Sequence, residues 1–474
     1  MPRIAGPGTV DTRPVWRLSP TGLRAVVVTG AALLWIGGVR DAVASGFALR
    51  EQSPSALGNA FAGSGASAAD LSYMFFNPAG ITRLSGDQAL AGMSVILPQA
   101  EFKNGSASTA SGAPITGGDG GNSVVPENAV PVFYALWDVQ RSFDLDQNIK
   151  AGIGVNVPFA LESDYADGWM GRYHALHSRI LTVNVNPVVA YEVIDSLSVA
   201  AGLQVQYADA RLSNAVDFGS LALTSPLLSR IARPGQQDGR ASLDGDDVGY
   251  GYNFGILYEP WTGTRFGAAF RSEIDHNLRG DADFGLGNSG IGALISANSG
   301  RFVDGKASAR VTTPWSASFS FHHDVSEQWS VMGTVERTGW NSFDEIRVKF
   351  RNPAQPDSVT DEDWNNSWFG AVGVTYRPTE AWSLRTGFAY DESPIPGKKR
   401  TPRVPTGDRA WFSVGAGYQP FPNVAFDFGY AHLFFQDADI DLAANEANNS
   451  SRGNLSGTME ASVDIISLQA RIGF

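Results

Sequence analysis

The 474-residue chain carries no cysteine and a formal net charge of −13, and only 18% of its residues are charged. Disulfides, Cys-ligated metals and Cys nucleophiles are therefore excluded, and the acidity argues against nucleic acid as a partner. With 53 Gly, 12 Trp, 13 Tyr and 27 Phe but no long apolar run, the composition fits a β-barrel better than a helical membrane protein. Length alone suggests two or three domains, but a barrel holds this many residues in one.

Arg3, Arg13, Arg17 and Arg24 form a basic start, followed by the apolar stretch Ala25 to Gly38 and the small-x-small site Ala42-Val43-Ala44. Residues 1–44 are thus expected to be a cleaved signal peptide, with an apolar part too short to span as a helix. No cysteine stands at the cleavage site, so a lipoprotein anchor is not expected. Export removes five Arg and two Asp and leaves a mature charge near −16.

Residues 45–88 contain the segment around which the rest is organised. Ser53 to Leu84 is rich in Gly, Ala and Ser, carries only Asp70 and Arg83 as charges, and ends near Asn77-Pro78-Ala79-Gly80. Small residues permit tight packing, and Asn-Pro followed by Gly is turn chemistry. The segment reads as a compact plug inserted into something larger.

Residues 89–474 supply that larger body. Leu197, Val199, Ala201, Leu203, Val205 and Tyr207 alternate with Ser198, Ala200, Gly202, Gln204 and Gln206, and similar runs follow at Tyr250 to Tyr258 and Val424 to Tyr430. In water this pattern is a half-buried sheet; in an outer membrane it is a set of strands with one face to lipid and one to the lumen. Rings near turn signals, at Tyr258, Trp315, Trp329, Trp382 and Tyr418, favour the membrane reading, because amphipathic rings belong at the interfaces. Short connections such as Ile194-Asp195-Ser196 alternate with long polar ones such as Asn104 to Glu127 and Asp281 to Lys306. The expected fold is all-β: a transmembrane antiparallel barrel of about fourteen strands with an N-terminal plug in its lumen. An alternating last strand, Ile466 to Phe474, ends the chain on an aromatic ring.

At this point the residues resemble the FadL-type outer-membrane transporters for hydrophobic compounds. The resemblance rests on Ser53 to Leu84 with Asn77-Pro78-Ala79, then Val157-Pro158-Phe159, Gly171-Arg172-Tyr173-His174-Ala175, Gly255 to Tyr258 and Phe270-Arg271-Ser272-Glu273. Arg385-Thr386-Gly387, Tyr390 to Pro394, Gly407 to Trp411 and Phe474 complete it. It implies a monomeric plugged barrel that takes up long-chain fatty acids, or aromatic or alkyl hydrocarbons, passively. In such proteins the ligand enters among the outer loops, occupies a pocket beside the plug and leaves sideways through the wall. Asn77, Pro78, Ala79 and Gly80 would be the plug turn or gate. Phe61, Leu71, Tyr73, Met74, Phe75 and Phe76 would be the apolar pocket candidates.

Several charged positions have two readings. Arg172 serves either a salt bridge or a ligand carboxylate. His174 and His177 read better as loop packing than as metal ligands, and no metal or cofactor is expected. Arg271, Glu273, Arg385, Asp391 and Arg409 are expected in a lumen-facing charge ladder. Lys398, Lys399, Arg400 and Arg403 are read as a solvated rim attracting anionic lipopolysaccharide, with capture of fatty carboxylates as the alternative. Around Arg211, Asn214 stands where a cation for a ligand carboxylate would be sought. No G-x-S-x-G, H-E-x-x-H or G-x-x-x-x-G-K-[ST] sequence nominates an enzyme; the competing classes are an adhesin or structural barrel and an outer-membrane hydrolase.

Overall fold

The computed structural model describes residues 46–121 and 124–474; the expected signal peptide lies outside the described residues. Strands β5 (His177–Ile194) and β6 (Leu197–Asp217) are joined by Asp195-Ser196 alone. In β6, Ser198, Gln204 and Gln206 are buried while Leu203 and Tyr207 are exposed. The same inversion runs along β7 (Asp238–Trp261), where Tyr250, Tyr252, Phe254, Ile256 and Tyr258 are exposed and Asn253 is buried. A sheet that hides its amides and shows its rings suits a wall whose outside is lipid.

The sheet closes on itself. β1 (Gln88–Ser108) pairs antiparallel with β2 (Asn128–Asp138) on one side and with β20 (Asn454–Gly473) on the other, closing a 14-strand barrel. Closure satisfies the backbone groups that lipid cannot. Among the described residues the one sheet has twenty ladder segments, because six of the fourteen crossings are divided by a break. Trp329 packs on Tyr376 at 4.5 Å and Trp382 on Tyr418 at 4.6 Å, each pair beside a short turn. Trp315 differs from the sequence expectation. It sits between β10 (Gly305–Thr313) and β11 (Ser316–Asp324), midway along one crossing, where Pro314 has no N–H for the ladder.

The plug is built from short helical pieces, each started by a side-chain cap. Ser53 caps the helix Pro54–Leu57, Asp70 caps the 3-10 turn Leu71–Phe75, and Asn77 caps Pro78–Arg83 with proline in its first turn. Asp70 also accepts from Ser55 Oγ and, at 3.0 Å, from Gln469 Nε2 of the wall. Asn77 Nδ2 donates to Gly65 O at 2.7 Å and to Ile256 O of β7 at 2.9 Å. Glycines let wall and plug touch backbone to backbone: a Cβ on Gly387 would lie 2.1 Å from Asn59 O.

The lumen carries the expected charge ladder. Arg385 meets Asp427 at 2.7 Å, Arg409 pairs with Asp391, and Arg50 meets Glu336 at 2.9 Å. Arg271 instead donates to Phe75 O at 2.9 Å and lies 4.3 Å from the Phe75 ring centre. Glu273 is not part of the ladder. The break between β8 (Thr264–Arg271) and β9 (Ile274–Gly285) shifts the alternation by one, so Ile274, His276 and Leu278 are buried and Glu273 is exposed.

Gly387→Ala is expected to destabilise the barrel by about 1–3 kcal/mol, since its methyl overpacks a backbone contact. Gly370→Ala, where a Cβ meets nothing within 4 Å, is the control. Denaturant midpoints of the two refolded variants check this.

Candidate functional site

The third crossing is where the wall departs from a continuous ladder. β3 (Ile149–Asn156) follows β2 as far as Val155 opposite Phe133. After Val157-Pro158-Phe159 the chain resumes as β4 (Ala160–Asp164), which pairs with β5. Among the described residues, β2 from Asn128 to Val132 keeps its β1 partner but has no ladder on its other side. Pro131 and Pro158 remove two donors from this stretch.

At the break, backbone groups of residues 157–160 are bonded by the start of the plug and by Thr182 of β5. Gln52 Nε2 donates to Val157 O at 2.6 Å, and Gln52 Oε1 accepts from Val157 N at 3.2 Å. Leu49 N donates to Pro158 O at 2.8 Å, and Ala160 N donates to Phe47 O at 2.9 Å. Thr182 Oγ1 accepts from Phe159 N at 3.1 Å. The start of the plug thus does for the break what a neighbouring strand does elsewhere. In lipid an unmet group would cost several kcal/mol.

Phe47 also lines the main apolar cavity. This space, about 820 Å³ between atoms with its mouth included, is walled by residues such as Leu161, Ile180, Leu278, Val311 and Val348. A second cavity, of about 570 Å³, lies directly behind the break and is lined by Leu49, Phe75, Phe76, Pro158 and Phe159. Two spaces therefore flank the segment that bonds to the break, the first largely apolar and the second with Arg50, Arg271 and Glu336 also in its wall.

The largely apolar lining of the main cavity includes the charged residues Arg179, Asp244, Glu362 and Arg403. Arg403 is buried there, donates from Nη1 to Ser178 Oγ at 2.9 Å, and places Nη2 3.5 Å from Asn214 Oδ1. Its guanidinium has no carboxylate in ion-pair range among the described residues. Burial and the neighbouring Arg452 bring its pKa down to about 9, still cationic at neutral pH. Glu362 lines the same cavity and accepts from Trp364 Nε1 at 3.0 Å. Burial pushes its carboxyl up to about 7, with Arg403, Arg452 and Lys399 opposing the rise.

The residues nominated from sequence fall into distinct places. Phe61, Leu71, Tyr73 and Met74 are buried where the plug packs on the wall, against residues such as Trp411 and Tyr134, and Tyr73 also lines a cavity with Asn59 and Arg385. Phe75 and Phe76 line the cavity behind the break. Asn77, Pro78, Ala79 and Gly80 are buried where the plug docks on β7. Arg172 does not line the main cavity: its Nε donates to Asp238 Oδ2 at 2.7 Å and its Nη2 to Gly235 O at 2.9 Å, a loop clamp that Tyr173 completes. His177 lies 3.6 Å from Asp164, whereas His174 is buried under the loops. Gln52, Phe47, Glu362 and the inward position of Arg403 were not read from sequence.

Gln52→Leu would leave the Val157 N–H and C=O unmet at about 1–3 kcal/mol each. Hydrogen exchange at residues 157–160 is expected to accelerate while the far wall keeps its protection. Unchanged exchange at the break would contradict the pairing described.

With the geometry described, the comparisons with known proteins agree on the family. The family described as outer membrane protein transport protein (OMPP1/FadL/TodX) matches residues 38–474. A long-chain fatty acid transport protein of Escherichia coli O6:H1 is 29% identical over 413 residues, covering 84% of this chain and 88% of the relative. A 47 kDa outer membrane protein of Pasteurella multocida is 30% identical over 397 residues, covering 83% and 88%. A crystal structure of a Pseudomonas aeruginosa FadL homologue superposes with a TM-score of 0.82 at 25% identity, covering 90% of this chain and 100% of that one. The CymD monoaromatic hydrocarbon channel, at 20% identity and a TM-score of 0.63, shares the fold over 90% of this chain and 99% of that one. The chain is a member of the FadL/TodX family of outer-membrane transporters of hydrophobic compounds.

Proposed function

We propose that the protein is a passive channel that delivers long-chain fatty acids sideways into the outer membrane through the break in its third crossing. The observation that carries this reading is the pairing of the break with Phe47, Leu49 and Gln52, because Phe47 is also a wall of the main cavity. A chain filling that cavity presses on the segment whose carbonyl holds Ala160. Displacing that segment loosens the break, and the opening leads to lipid and not to water. The route suits the cargo, since each CH₂ exposed to water costs about 0.8 kcal/mol.

In this reading the plug closes the lumen throughout, held by Asn77 against Gly65 and Ile256. Residues 1–44 are the signal peptide, 45–88 the plug and 89–474 the barrel, working as a monomer in contact with outer-membrane lipid and lipopolysaccharide. Arg403 is the cation for a fatty carboxylate in the largely apolar main cavity. Neutral aromatic or alkyl hydrocarbons fit the same apolar walls without using Arg403.

Arg403→Gln is expected to weaken fatty-acid binding about 10–100-fold, the worth of a buried charge-assisted contact, and to leave a monoaromatic hydrocarbon unaffected. Equal effects on both ligands would remove Arg403 from recognition. Glu362 gives a pH signature. Protonated below about 7, it leaves Arg403 free for the carboxylate; ionised above, it competes. Fatty-acid affinity should therefore fall as pH rises through 7, and Glu362→Gln should flatten the profile. Whole-cell uptake of labelled fatty acid and hydrocarbon, in a host lacking its own transporter of this type, tests the function itself. No uptake of either by a folded barrel would favour a structural or adhesin role.

A further inference from the structure

Arg403 faces two spaces. One is the apolar cavity; the other is a separate chamber of about 980 Å³ between atoms, mouth included, under the outer loops. His174, Lys398, Arg403 and Arg452 line that chamber, with Asp361 and Glu446 as its acids. Lys398 and Arg403 share one loop, and the fold brings His174 and Arg452 to them from distant parts of the chain.

The chamber's positive charge is not neutralised by its own walls. Among the described residues the Arg452 side chain donates from Nη2 to Thr360 Oγ1 at 3.2 Å and has no carboxylate in ion-pair range. Arg403 has a hydroxyl for a partner, and Lys398 has none of the ion pairs found among the described residues. Lys399, by contrast, is matched by Asp363 at 2.7 Å. Of the two lining acids, Glu446 accepts from Asn449 Nδ2 at 3.1 Å. His174 is 4% exposed, and its Nε2 is buried without a hydrogen-bond partner. Arg403 is buried with Arg452 beside it, and holding these two cations together is unfavourable unless an anion joins them.

We propose that this chamber binds a phosphate-type oxyanion, and that an amphiphile bearing such a head seats it there with its chain in the apolar cavity beyond Arg403. A carboxylate brings one charge and two oxygens. A phosphomonoester brings close to two charges and three acceptor oxygens, which suits Lys398, Arg403 and Arg452 together. Guanidinium groups favour such planar-fork contacts to phosphate. The chamber shares Arg403 and the apolar cavity with the proposed fatty-acid site, but binding to the purified barrel tests it without a transport assay.

The experiment is calorimetric titration of the refolded full barrel with dodecyl phosphate, dodecanoate and inorganic phosphate. Dodecyl phosphate is expected to bind at least about tenfold tighter than dodecanoate. Arg452→Gln and Lys398→Gln should each reduce that preference while leaving dodecanoate affinity unchanged. Lys398 is exposed, so its variant remains informative if Arg452→Gln does not fold. Inorganic phosphate that competes with dodecyl phosphate at similar affinity would support the site and name free phosphate as its ligand. Weak competition by inorganic phosphate would support it and name the lipid head. Equal affinity for the two amphiphiles, or equal loss for both in the variants, would overturn the proposal.

Discussion

A chain that crosses lipid as strands has to pair every backbone group, and that requirement governs this structure. It is met by antiparallel neighbours around the closed wall, down to β1 joining β20. At Val157-Pro158-Phe159 it is met differently, by residues 47–52 reaching across the lumen. Function follows from this exchange of partners. A wall bonded to its neighbour strand is shut, whereas a wall bonded to a movable inner segment opens when that segment moves.

The remainder of the interior keeps that segment in place. Asn77 and Asp70 cap the plug's short helices and also bond to the wall. Arg50, inside the same stretch, meets Glu336 and stacks 3.7 Å over Phe369. Paired charges in a lumen of low polarity are costly to separate, so they fix the plug's register. Space beside that segment is left ahead of Phe47 and behind Pro158.

Much of this was legible in the sequence because it is local. Period-2 alternation marks strands without knowledge of their partners, and the polar residues of β6 turned inward as that pattern implies. The plug was legible from its small residues and its Asn77-Pro78 turn. What was hidden is long-range. Pro158 advertises a break, but nothing local links its neighbour Val157 to Gln52, 105 residues earlier. Asn214 was searched for a cation in its own strand; the cation there is Arg403, from a loop 189 residues later that folds inward. Glu273 was misplaced because alternation was carried through a break that resets its phase.

The most direct test is to tie the third crossing to its missing neighbour. The chain has no native cysteine, so Pro131→Cys and Val157→Cys, which would face each other if the β2–β3 register continued, can be joined by a short bis-maleimide. The account predicts that cross-linking abolishes fatty-acid uptake, while each single cysteine variant treated alike keeps it. Uptake at the unlinked rate by a fully cross-linked barrel would show that the cargo leaves by another way.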